Sequence, residues 1–571
     1  MTILGISCHY HEAATALIVD GKLVAASAEE RFTRVKHDAS FPAHAIDFCL
    51  ACGRIQPQKL DWVVFYEKPL VKFERTITIS MQEFPGSLTF FVDGMRNAFS
   101  DKLWIQPKIE NYLGISRDRI LFVPQHLSHA AASFYPSTFA HAAYLTLDAV
   151  GEWSTGSWGT AKGNKIYPKM ELRFPHSVGL LYSTLTAYLG FEVNDGEFKV
   201  MGMAAFGVPR YRDKIKKLYR LFPDGSIKLD LSYFAFHHSN KHMYNKKFER
   251  LFAGCSRFDL GASIQKCTEE IILAMMNHIA NVTGEENLVF GGGVALNSVV
   301  NGLITKKTPF KRIFIFPAAG DDGGSVGAAL YVYHHVLGNK KRYQLKNVFL
   351  GKEYSNKEIG ECLRTRDDGR GESAKKGRRW EKAPGRTPMP DKQLVEFIAD
   401  QLSKGKIVGW FEGRAEFGPR ALGHRSIIAD PRKADMKDIV NARIKFREEF
   451  RPFAPVVLSR FAADYFDITE MNLTPYMLGT FASRAIAKKN APAVVHDDGT
   501  SRIQIVNPRT YLGKYGKVVE AFYRKTGVPI LLNTSFNLKG EPIVNSPADA
   551  ISTFERSGLD ILVLENYVLT K

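Results

Sequence analysis

Short runs of apolar residues near the start of the chain predict a group of three strands. The runs at 3–7, 13–19 and 22–27 are rich in Ile, Leu, Val and Ala, and an Asp-Gly dipeptide, typical of a tight hairpin turn, joins the last two. The same order of strand, polar bend and hairpin returns roughly 140 residues later, with strands expected at 144–148 and 157–162. The repeated pattern predicts two similar subdomains that face each other across a cleft.

Two glycine-rich segments follow strands later in this region. Gly292 and Gly293 come after the apolar run 287–290, and Gly320 comes after the run 312–316, ahead of an Ala-rich helix. Glycines at such junctions let backbone N–H groups approach a phosphate, although each could also be a tight packing turn. Together with the repeated hairpin, they favour nucleotide binding. The arrangement resembles the actin, sugar-kinase and heat-shock ATPase superfamily, in which two hairpins embrace the nucleotide phosphates.

Length and composition narrow the class of protein. The chain has 571 residues, too many for one compact core, and its 45% apolar and 24% charged residues are ordinary for a globular protein. The N-terminus lacks the basic segment of a signal peptide, and no run of about 18 uninterrupted apolar residues predicts a membrane span. We therefore expect a cytoplasmic protein without a membrane partner, whose second domain begins near residue 350.

Positive charge is partly concentrated in one segment of the second domain. The formal net charge of the chain is +18, and residues 364–386 contain nine Lys or Arg against four Asp or Glu. Few apolar residues accompany them, which predicts a basic, flexible insertion at about 364–388. A nucleic-acid-binding arm is the alternative, but Trp380 is the only aromatic residue there, so no stable nucleic-acid partner is expected. A basic protein also suits anionic substrates such as phosphates.

Histidines and carboxylates are the candidate metal ligands of the first domain. His126 and His129 lie close together in sequence, with Gln125 before them, ahead of the strand that is expected to end at Asp148. Asp321 lies in the last glycine-rich turn. Such groups, converging on one cleft, could bind a divalent ion that neutralises phosphate charge. A short pair of histidines can equally cap or pack a helix.

Cationic and small polar residues are concentrated in three segments of the second domain. Guanidinium groups beside glycines suit bidentate binding of phosphate or carboxylate, and small hydroxyl and amide groups after a strand suit phosphate or ribose. A surface network of salt bridges is the alternative. The candidates are Arg414, Arg420, Arg425, Ser426, Lys445, Arg447, Arg451, Asn533, Thr534, Ser535 and Asn537.

Motifs along nearly the whole chain are shared with one known family. They include His11-Glu-Ala-Ala, Glu29-Glu-Arg-Phe-Thr-Arg34, His126-Leu-Ser-His129, Gly292-Gly-Val-Ala-Leu-Asn297, and residues 413–427 and 445–455. In these motifs the chain resembles the O-carbamoyltransferases, which include nodulation protein U and antibiotic-tailoring enzymes. The resemblance implies an α/β fold with an N-terminal actin-like ATPase domain at 1–349, similar to the tRNA threonylcarbamoyl-transferases. It also implies a C-terminal YrdC-like α/β domain at 350–571.

The resemblance implies a two-step reaction with ATP and carbamoyl phosphate as co-substrates. The YrdC-like domain would form carbamoyl-adenylate, and the N-terminal domain would transfer the carbamoyl group to a hydroxyl of a small molecule such as a sugar, an antibiotic or a lipo-oligosaccharide. His11 is then the candidate base of the transfer step. Lys445, Arg451 and Arg502 join the activation site. The implied nucleotide contacts of the first domain are Glu197, Lys199, Gly292, Gly293, Asn297, Gly320 and Asp322.

The implied metal site departs from the family at one position. His129, Asp148 and Asp321 match the ligands of the family, but Gln125 stands where the family has a second ligand histidine. An amide oxygen suits a hard ion such as magnesium better than iron or zinc, and His126 is the candidate substitute. We expect a divalent metal, magnesium or iron, that is bound more weakly than in the family.

Two alternatives explain part of the sequence. A small-molecule kinase or ATPase of the actin-like class accounts for the first domain but leaves the cationic cluster of the second domain without a role. A tRNA-modifying, RNA-binding enzyme accounts for the net charge of +18, but the sequence contains no recognisable RNA-binding motif. The sequence leaves open the identity of the acceptor and whether the chain forms a homo-oligomer.

Overall fold

The computed structural model describes residues 1–97, 99, 102–365, 387–511 and 513–571. Most of the basic insertion expected at 364–388 therefore lies outside the described residues. The chain divides into two compact units. One comprises Met1–Glu29 and His37–Lys346, and the other comprises Glu30–Lys36 and Asn347–Lys571.

The first unit is built on two five-stranded sheets of the same topology. The first sheet contains β1 (Thr2–Ser7), β2 (Ala14–Val19), β3 (Lys22–Ala28), β4 (Trp62–Phe65) and β5 (Ile120–Phe122), in the order β3-β2-β1-β4-β5. The strands that follow along the chain are β6 (His141–Leu147), β7 (Ser154–Lys162), β8 (Lys165–Arg173), the short pair β9 (Tyr219–Leu221) and β10 (Ile227–Leu229), then β11 (Asn287–Gly291) and β12 (Arg312–Ile315). The second sheet has the order β12-β11-β6-β7-β8.

The pairing of the strands is the same in both sheets. The leading strand, β1 or β6, is antiparallel to the strand that follows it and parallel to a later strand, β4 or β11. Buried Ile, Leu, Val and Ala side chains fill the central strands, because helices cover the sheets on their faces. The predicted duplication is confirmed, and this unit has the predicted α/β class.

The first unit also contains helices between and after these strands. They are Ala43–Gly53, Pro69–Gln82, Leu88–Asn97, Ile105–Leu113, Gln125–Phe134, Val178–Tyr188, Glu197–Met203, Arg212–Ile215, Lys246–Phe252, Arg257–Thr283, Ser298–Asn301, Ile304–Lys307 and Asp321–Tyr331. The last helix packs closely on the helix Gln125–Phe134: a Cβ atom at Gly327 would lie 1.7 Å from the Ser128 carbonyl oxygen. Only glycine permits this crossing, which places the starts of the two helices side by side.

An α-helix begins a few residues after the glycines at 292–293. Gly293–Leu296 forms a short 3₁₀ turn, and the helix Ser298–Asn301 starts after it, because the side chain of Asn297 accepts a hydrogen bond from the Val300 N–H at 3.2 Å. Gly292 has a φ of +86°, and a Cβ there would lie 2.2 Å from the Leu147 carbonyl oxygen. The glycine therefore allows the backbone after β11 to approach the end of β6.

The second unit contains a seven-stranded mixed sheet. The strands of this unit are β13 (Val408–Phe411), β14 (Arg425–Ala429), β15 (Ala454–Leu458), β16 (Phe466–Asp467), β17 (Thr480–Ser483), β18 (Thr500–Arg502), β19 (Gln504–Val506), β20 (Ile530–Ser535), β21 (Ile561–Leu564) and β22 (Tyr567–Thr570). The order of the large sheet is β19-β15-β20-β14-β13-β21-β22, and β16, β17 and β18 form a small separate sheet. The predicted α/β class is confirmed for this unit as well.

The second unit also includes a segment from near the N-terminus. Its helices are Glu30–Thr33, Asn356–Thr365, Asp391–Ser403, Met436–Val440, Ala462–Tyr465, Ala485–Asn490, Tyr515–Thr526 and Pro547–Arg556. In the N-terminal segment, Arg31 donates to the Gly418 carbonyl at 2.9 Å, and Arg34 donates to the carbonyls of Pro542 and Ile543 at 2.8 and 2.7 Å. Among the residues that the structure describes, every helix is too short or too polar to cross a membrane.

Candidate active site

Three candidate metal ligands meet in the first unit. His129 lies on the helix Gln125–Phe134, Asp148 follows β6, and Asp321 begins the helix Asp321–Tyr331. The Nε2 atom of His129 is 3.1 Å from Asp148 Oδ2 and 3.7 Å from Asp321 Oδ1. One ligand atom of each residue lies within 4.8 Å of the other two. This separation allows all three residues to bind a single divalent ion.

The charges of this cluster depend on one another. Burial, together with the nearby charge of Asp148, raises the pKa of Asp321 to about 7. Burial also opposes the ionisation of Asp148, but the hydrogen bond and charge of His129 outweigh it and lower the pKa of that carboxyl. Burial disfavours a charged His129 ring, whose pKa is nevertheless raised by contact with Asp148. Asp148 and Asp321 thus compete for a single histidine, and a bound cation would reduce the repulsion between their charges.

Gln125 lies at the same cluster. Its side-chain N–H donates to Asp321 Oδ1 at 2.7 Å and lies 3.5 Å from Asp148 Oδ2. Its side-chain oxygen is buried and has no hydrogen-bond partner among the described residues. A half-turn of the amide would exchange the two atoms and direct the oxygen towards the carboxylates, where a metal ligand is needed.

His126 faces a different part of the unit. Its Nδ1 atom is 2.9 Å from the Thr146 hydroxyl, and its Nε2 atom is 3.0 Å from the Ser154 carbonyl oxygen. Burial, with the nearby His129, lowers the pKa of His126 to about 4, so the ring is neutral. Both ring nitrogens are already used, so the structure does not bring His126 to the ligand cluster.

We predict that Gln125→His increases the affinity of the purified protein for zinc or ferrous ion by at least about 10-fold. The reason is that a neutral imidazole is a better ligand for these ions than an amide oxygen. Equilibrium dialysis followed by elemental analysis measures the change. Gln106→His, on the helix Ile105–Leu113, is the matched control and should bind metal like the wild type. Equal affinity in Gln125→His and the wild type would contradict the placement of Gln125 at a ligand position.

A group of charged side chains that the sequence did not identify adjoins this cluster. Glu67 is fully buried, and its carboxylate contacts Lys72 at 2.9 Å and Lys102 at 3.4 Å. Burial opposes the ionisation of Glu67, but the two lysines outweigh it and lower its pKa to about 2. The Nζ atom of Lys72 lies 4.2 Å from the ring centroid of Tyr10, and burial with the charges of Asp148 and Asp321 raises the pKa of Tyr10. Burial lowers the pKa of Lys102 to about 7. No sequence motif marked either lysine.

His11 lies in a polar cluster in the bend after β1. Its ring stacks on His37 with a centroid separation of 4.5 Å. The two nitrogens of His37 contact Glu12 Oε1 at 3.3 Å and Asp195 Oδ1 at 3.1 Å, and Lys199 donates to the other oxygen of Asp195 at 2.7 Å. The ion pairs hold the His37 ring, which in turn orients His11. Sequence reasoning found His11 and Lys199 but missed the histidine and carboxylates between them.

The glycine-rich candidates lie near the metal-ligand cluster. A Cβ atom at Gly293 would lie 3.1 Å from Asp148 Oδ1, so the backbone passes close to that carboxylate. Gly320 directly precedes the helix Asp321–Tyr331 and lies at its N-terminal end. Asp322 accepts a hydrogen bond from the Gly323 N–H at 2.9 Å.

Two other predicted nucleotide contacts have protein partners instead. Glu197 accepts hydrogen bonds from the Ser183 hydroxyl at 2.6 Å and the Asn194 N–H at 3.1 Å. The Asn297 side chain exchanges hydrogen bonds with Gln265 at 3.0 and 3.2 Å. Both side chains therefore support local structure in this conformation, and a nucleotide-binding role stays a prediction.

Five cationic side chains of the second unit influence one another electrostatically. Burial and the charge of Arg451 lower the pKa of Arg420 to about 10 and that of Arg447 to about 9. Burial, followed by the charges of neighbouring arginines, lowers the pKa of Arg502 well below its usual value. Glu448 lies 3.8 Å from Arg451. The members of this cation cluster are Arg420, Lys445, Arg447, Arg451 and Arg502.

The cation cluster has unused hydrogen-bonding capacity. The Nε atoms of Arg420, Arg447 and Arg502 are buried and have no hydrogen-bond partner among the described residues. Buried guanidinium groups that repel one another are costly unless an anion compensates them. The cluster is therefore suited to a phosphate or carboxylate ligand, and a surface network of salt bridges does not describe it.

Lys445 connects the cation cluster to the end of β20. It ends the π-helical turn Asn441–Lys445, and Phe446 after it has a φ of +46°, which turns the chain out of the helix. The Lys445 ammonium donates to the Ser535 carbonyl, to the Asn537 carbonyl at 3.1 Å and to the Asn537 side-chain oxygen at 2.8 Å. Burial and the charges of Arg447 and Arg451 lower its pKa well below the usual value. The structure thus joins two of the predicted segments.

The remaining candidates of this unit have structural contacts. Arg425 is fully buried, donates to the carbonyls of Glu412 and Gly413 at 2.7 and 3.0 Å, and lies over the Phe411 ring. Arg414 donates to the Gly351 carbonyl at 3.0 Å. Among the smaller residues, Ser426 Oγ accepts a hydrogen bond from the Gly423 N–H, and the Asn533 side-chain N–H group donates to the oxygens of Ala421 and Gln504. Thr534 lies opposite Ile427 in the β14–β20 pair.

We predict that Arg502→Met leaves the melting temperature of the ligand-free protein unchanged or raises it, since the variant removes an uncompensated charge. Phosphate should raise the melting temperature of the wild type, because an anion that binds only the folded state stabilises it, and this rise should be smaller in the variant. Differential scanning fluorimetry with and without inorganic phosphate measures both effects. Arg460→Met, which removes an arginine paired with Glu520 outside the cation cluster, should keep the full phosphate effect. A full effect in Arg502→Met would remove Arg502 from the anion site.

Two family descriptions match separate parts of the chain. Residues 2–330 match the family described as "Carbamoyltransferase N-terminus", and residues 399–571 match "Carbamoyltransferase C-terminus". Among relatives, an uncharacterized protein of Synechocystis is 41% identical and covers 100% of this chain and 96% of its own length. Nodulation protein NolNO of Sinorhizobium fredii is 35% identical over 98% of this chain and 79% of its own length. A solved structure of HypF in a phosphate- and nucleotide-bound form is 11% identical, with a TM-score of 0.35 over 59% of this chain and 56% of that chain.

Proposed function

Because the chain belongs to the carbamoyltransferase family and is thus a transferase, we propose that it is an ATP-dependent O-carbamoyltransferase. Carbamoyl phosphate, ATP and water react in the second unit to give carbamoyl-adenylate, pyrophosphate and phosphate. In the first unit, a hydroxyl oxygen of the acceptor attacks the carbamoyl carbon, the bond to the AMP oxygen breaks, and AMP leaves. The acceptor is a small molecule with a hydroxyl group, for which a sugar, an antibiotic or a lipo-oligosaccharide is a suitable candidate.

The cation cluster of the second unit is the observation that carries this proposal. Carbamoyl phosphate and ATP are both anionic, and they can lie side by side only where fixed positive charge offsets their repulsion. Arg420, Arg447 and Arg502 offer buried, unpaired Nε donors, and Lys445 lies among them. An ATPase that hydrolyses or transfers only the terminal phosphate of a nucleotide bound in the first unit has no use for this cluster.

The first unit provides the groups that the transfer step needs. An alcohol is a weak nucleophile, and a positioned base such as His11 assists its attack. Lys72, paired with the buried Glu67, is the candidate cation for the departing AMP. His129, Asp148 and Asp321, with the Gln125 oxygen as a further ligand, fit a divalent cation, because their ligand atoms converge and the buried Gln125 oxygen lacks a hydrogen-bond partner among the described residues. A divalent cation, when bound there, supplies charge that neutralises phosphate oxygens.

The proposal is tested by the dependence of ATP turnover on carbamoyl phosphate. Pyrophosphate release from ATP should require carbamoyl phosphate and should not be supported by acetyl phosphate. AMP release should increase on addition of an acceptor, and the carbamoylated acceptor should appear in equal amount. ATP hydrolysis that yields ADP and does not respond to carbamoyl phosphate would overturn the proposal in favour of a kinase or ATPase.

A further inference from the structure

Besides the His129 cluster and the group His11, Glu12 and His37, a third group of ligand-type side chains lies in the first unit and shares no residue with the sites above. Glu83 follows the helix Pro69–Gln82, and His237 and His238 lie in the segment between β10 and the helix Lys246–Phe252. One ligand atom from each residue lies within 4.8 Å of the other two. Neither the sequence motifs nor the proposed reaction gives these residues a role.

The distances within this group match those around a metal ion. Two ligands bonded at 2.0–2.1 Å to a tetrahedral zinc ion are separated by roughly 3.3 Å. His237 Nε2 is 3.0 Å from His238 Nδ1 and 3.8 Å from Glu83 Oε2, so the two observed separations lie on either side of this value. Small movements of the side chains would bring all three atoms into the first coordination shell.

A hydrogen-bonded pair of histidines does not account for the whole group. The Nε2 atom of His237 faces both a ring nitrogen of His238 and a carboxylate oxygen of Glu83, and it carries at most one proton. Its other nitrogen, Nδ1, is buried and has no hydrogen-bond partner among the described residues. His237 itself is only 6% exposed. With a cation at Nε2, the His237 ring carries its proton at Nδ1, and the lone pairs of His237 Nε2, His238 Nδ1 and the Glu83 carboxylate all have a partner, which one shared proton cannot provide.

Backbone hydrogen bonds fix the two segments that carry these three side chains. The segment that carries the histidines is closed by a bridge between Phe234 and Tyr244 and by a hydrogen bond from the Ala235 N–H to the Met243 carbonyl at 3.0 Å. The N–H of Glu83 donates to Ile79 at 3.0 Å, which fixes the end of the helix Pro69–Gln82. The Glu83 side chain is 39% exposed, so water can reach the fourth position around an ion.

We propose that Glu83, His237 and His238 bind a zinc ion that clamps the end of the helix Pro69–Gln82 to the segment 234–244. Two imidazoles and a carboxylate are ligands that zinc accepts, with water in the remaining position. Magnesium and calcium prefer oxygen ligands and fit this set poorly. The His129 cluster differs, because it presents two carboxylates and an amide for one histidine.

The clamped helix also supports the candidate transfer site. Arg75 on this helix donates to the carbonyls of Gly151 and Glu152 at 2.7 and 2.6 Å. The carboxylate of Glu152 accepts hydrogen bonds from the N–H groups of Lys68 at 2.9 Å and Gln125 at 3.1 Å. Zinc bound at Glu83 would therefore stabilise the C-terminal end of the helix Pro69–Gln82. Contacts of Arg75 and Lys68 link the rest of this helix to Glu152, which binds the Gln125 N–H.

Zinc titration of the whole chain tests the proposal. The background is Asp321→Asn, with His129→Asn as a second background, so that the other cluster is weakened. After removal of metal, the protein is titrated with zinc chloride against a competing indicator. We expect one bound zinc per chain, with affinity at least about 10-fold lower in Glu83→Gln and in His238→Asn. His242→Asn, on the same segment but exposed, is the matched control and should bind zinc like its background.

Hydrogen exchange provides a second measurement that does not depend on enzyme activity. Zinc should slow exchange in residues 69–82 and 234–244 of the wild type, and this protection should be lost in Glu83→Gln. Absence of zinc binding in both backgrounds, or unchanged affinity in both variants of the proposed ligands, would overturn the site. Zinc binding that leaves exchange in these two segments unchanged would overturn the clamp.

Discussion

Replacing Lys445 or Arg451 by alanine should reduce carbamoyl-phosphate-dependent pyrophosphate release by one to two orders of magnitude or more. The positive charges of the cation cluster already repel one another. Removing one of them should therefore weaken binding of the anionic ligand without destabilising the ligand-free cluster. Loss of one hydrogen bond to a charged group costs about 1.5–3 kcal/mol of binding, which is a factor of about 10–150. Lys445 should show the larger loss, because its contacts to Ser535 and Asn537 also position the end of β20.

The controls separate a charge effect from a loss of folding. Lys433→Ala removes an exposed lysine from the preceding segment and should keep full activity. Circular dichroism and the melting temperature should show that Arg451→Ala is folded. Lys445→Arg, which keeps the charge but not the compact ammonium, should retain part of the carbamoyl-phosphate dependence. Full activity in both alanine variants would show that carbamoyl phosphate is activated elsewhere.

The fold of the first unit could be predicted from the sequence because its signals are local. An apolar run, a polar bend and an Asp-Gly hairpin are each encoded by adjacent residues, and their repetition identifies the duplicated sheet. The inclusion of Glu30–Lys36 in the second unit could not be predicted in this way. It depends on contacts of Arg31 and Arg34 with backbone carbonyls far away in sequence. Because every residue has a backbone carbonyl, the sequence does not show which ones will accept these hydrogen bonds.

The same distinction applies to the candidate sites. His129, Asp148 and Asp321 could be grouped because they match the ligands of the family that the chain resembles, and because Asp148 follows a strand and Asp321 lies in a glycine-rich turn. Lys72 and Lys102 could not, because isolated lysines on helical segments usually face solvent and only the buried Glu67 between them shows otherwise. Arg425 shows the reverse problem: it lies inside a cationic motif, yet its guanidinium group binds backbone carbonyls.

His11→Asn should keep carbamoyl-phosphate-dependent pyrophosphate release and reduce carbamoylation of the acceptor by about 100-fold or more. A general base typically contributes 10²–10⁴-fold to a rate, and asparagine keeps hydrogen-bonding capacity but cannot accept a proton at neutral pH. The stack on His37, with its ion pairs to Glu12 and Asp195, orients the ring of His11 and should remain largely intact. Pyrophosphate and AMP are measured separately, with any sugar that the wild type carbamoylates.

His141→Asn is the control for this prediction, because it removes an exposed histidine that pairs with Glu285 on the surface of the same unit. It should leave both half-reactions unchanged. His37→Asn should behave like a weaker His11→Asn, with transfer reduced and pyrophosphate release retained, since the His37 ring stacks on His11 and orients it. If His11→Asn reduced both half-reactions equally, the assignment of activation and transfer to different units would be wrong.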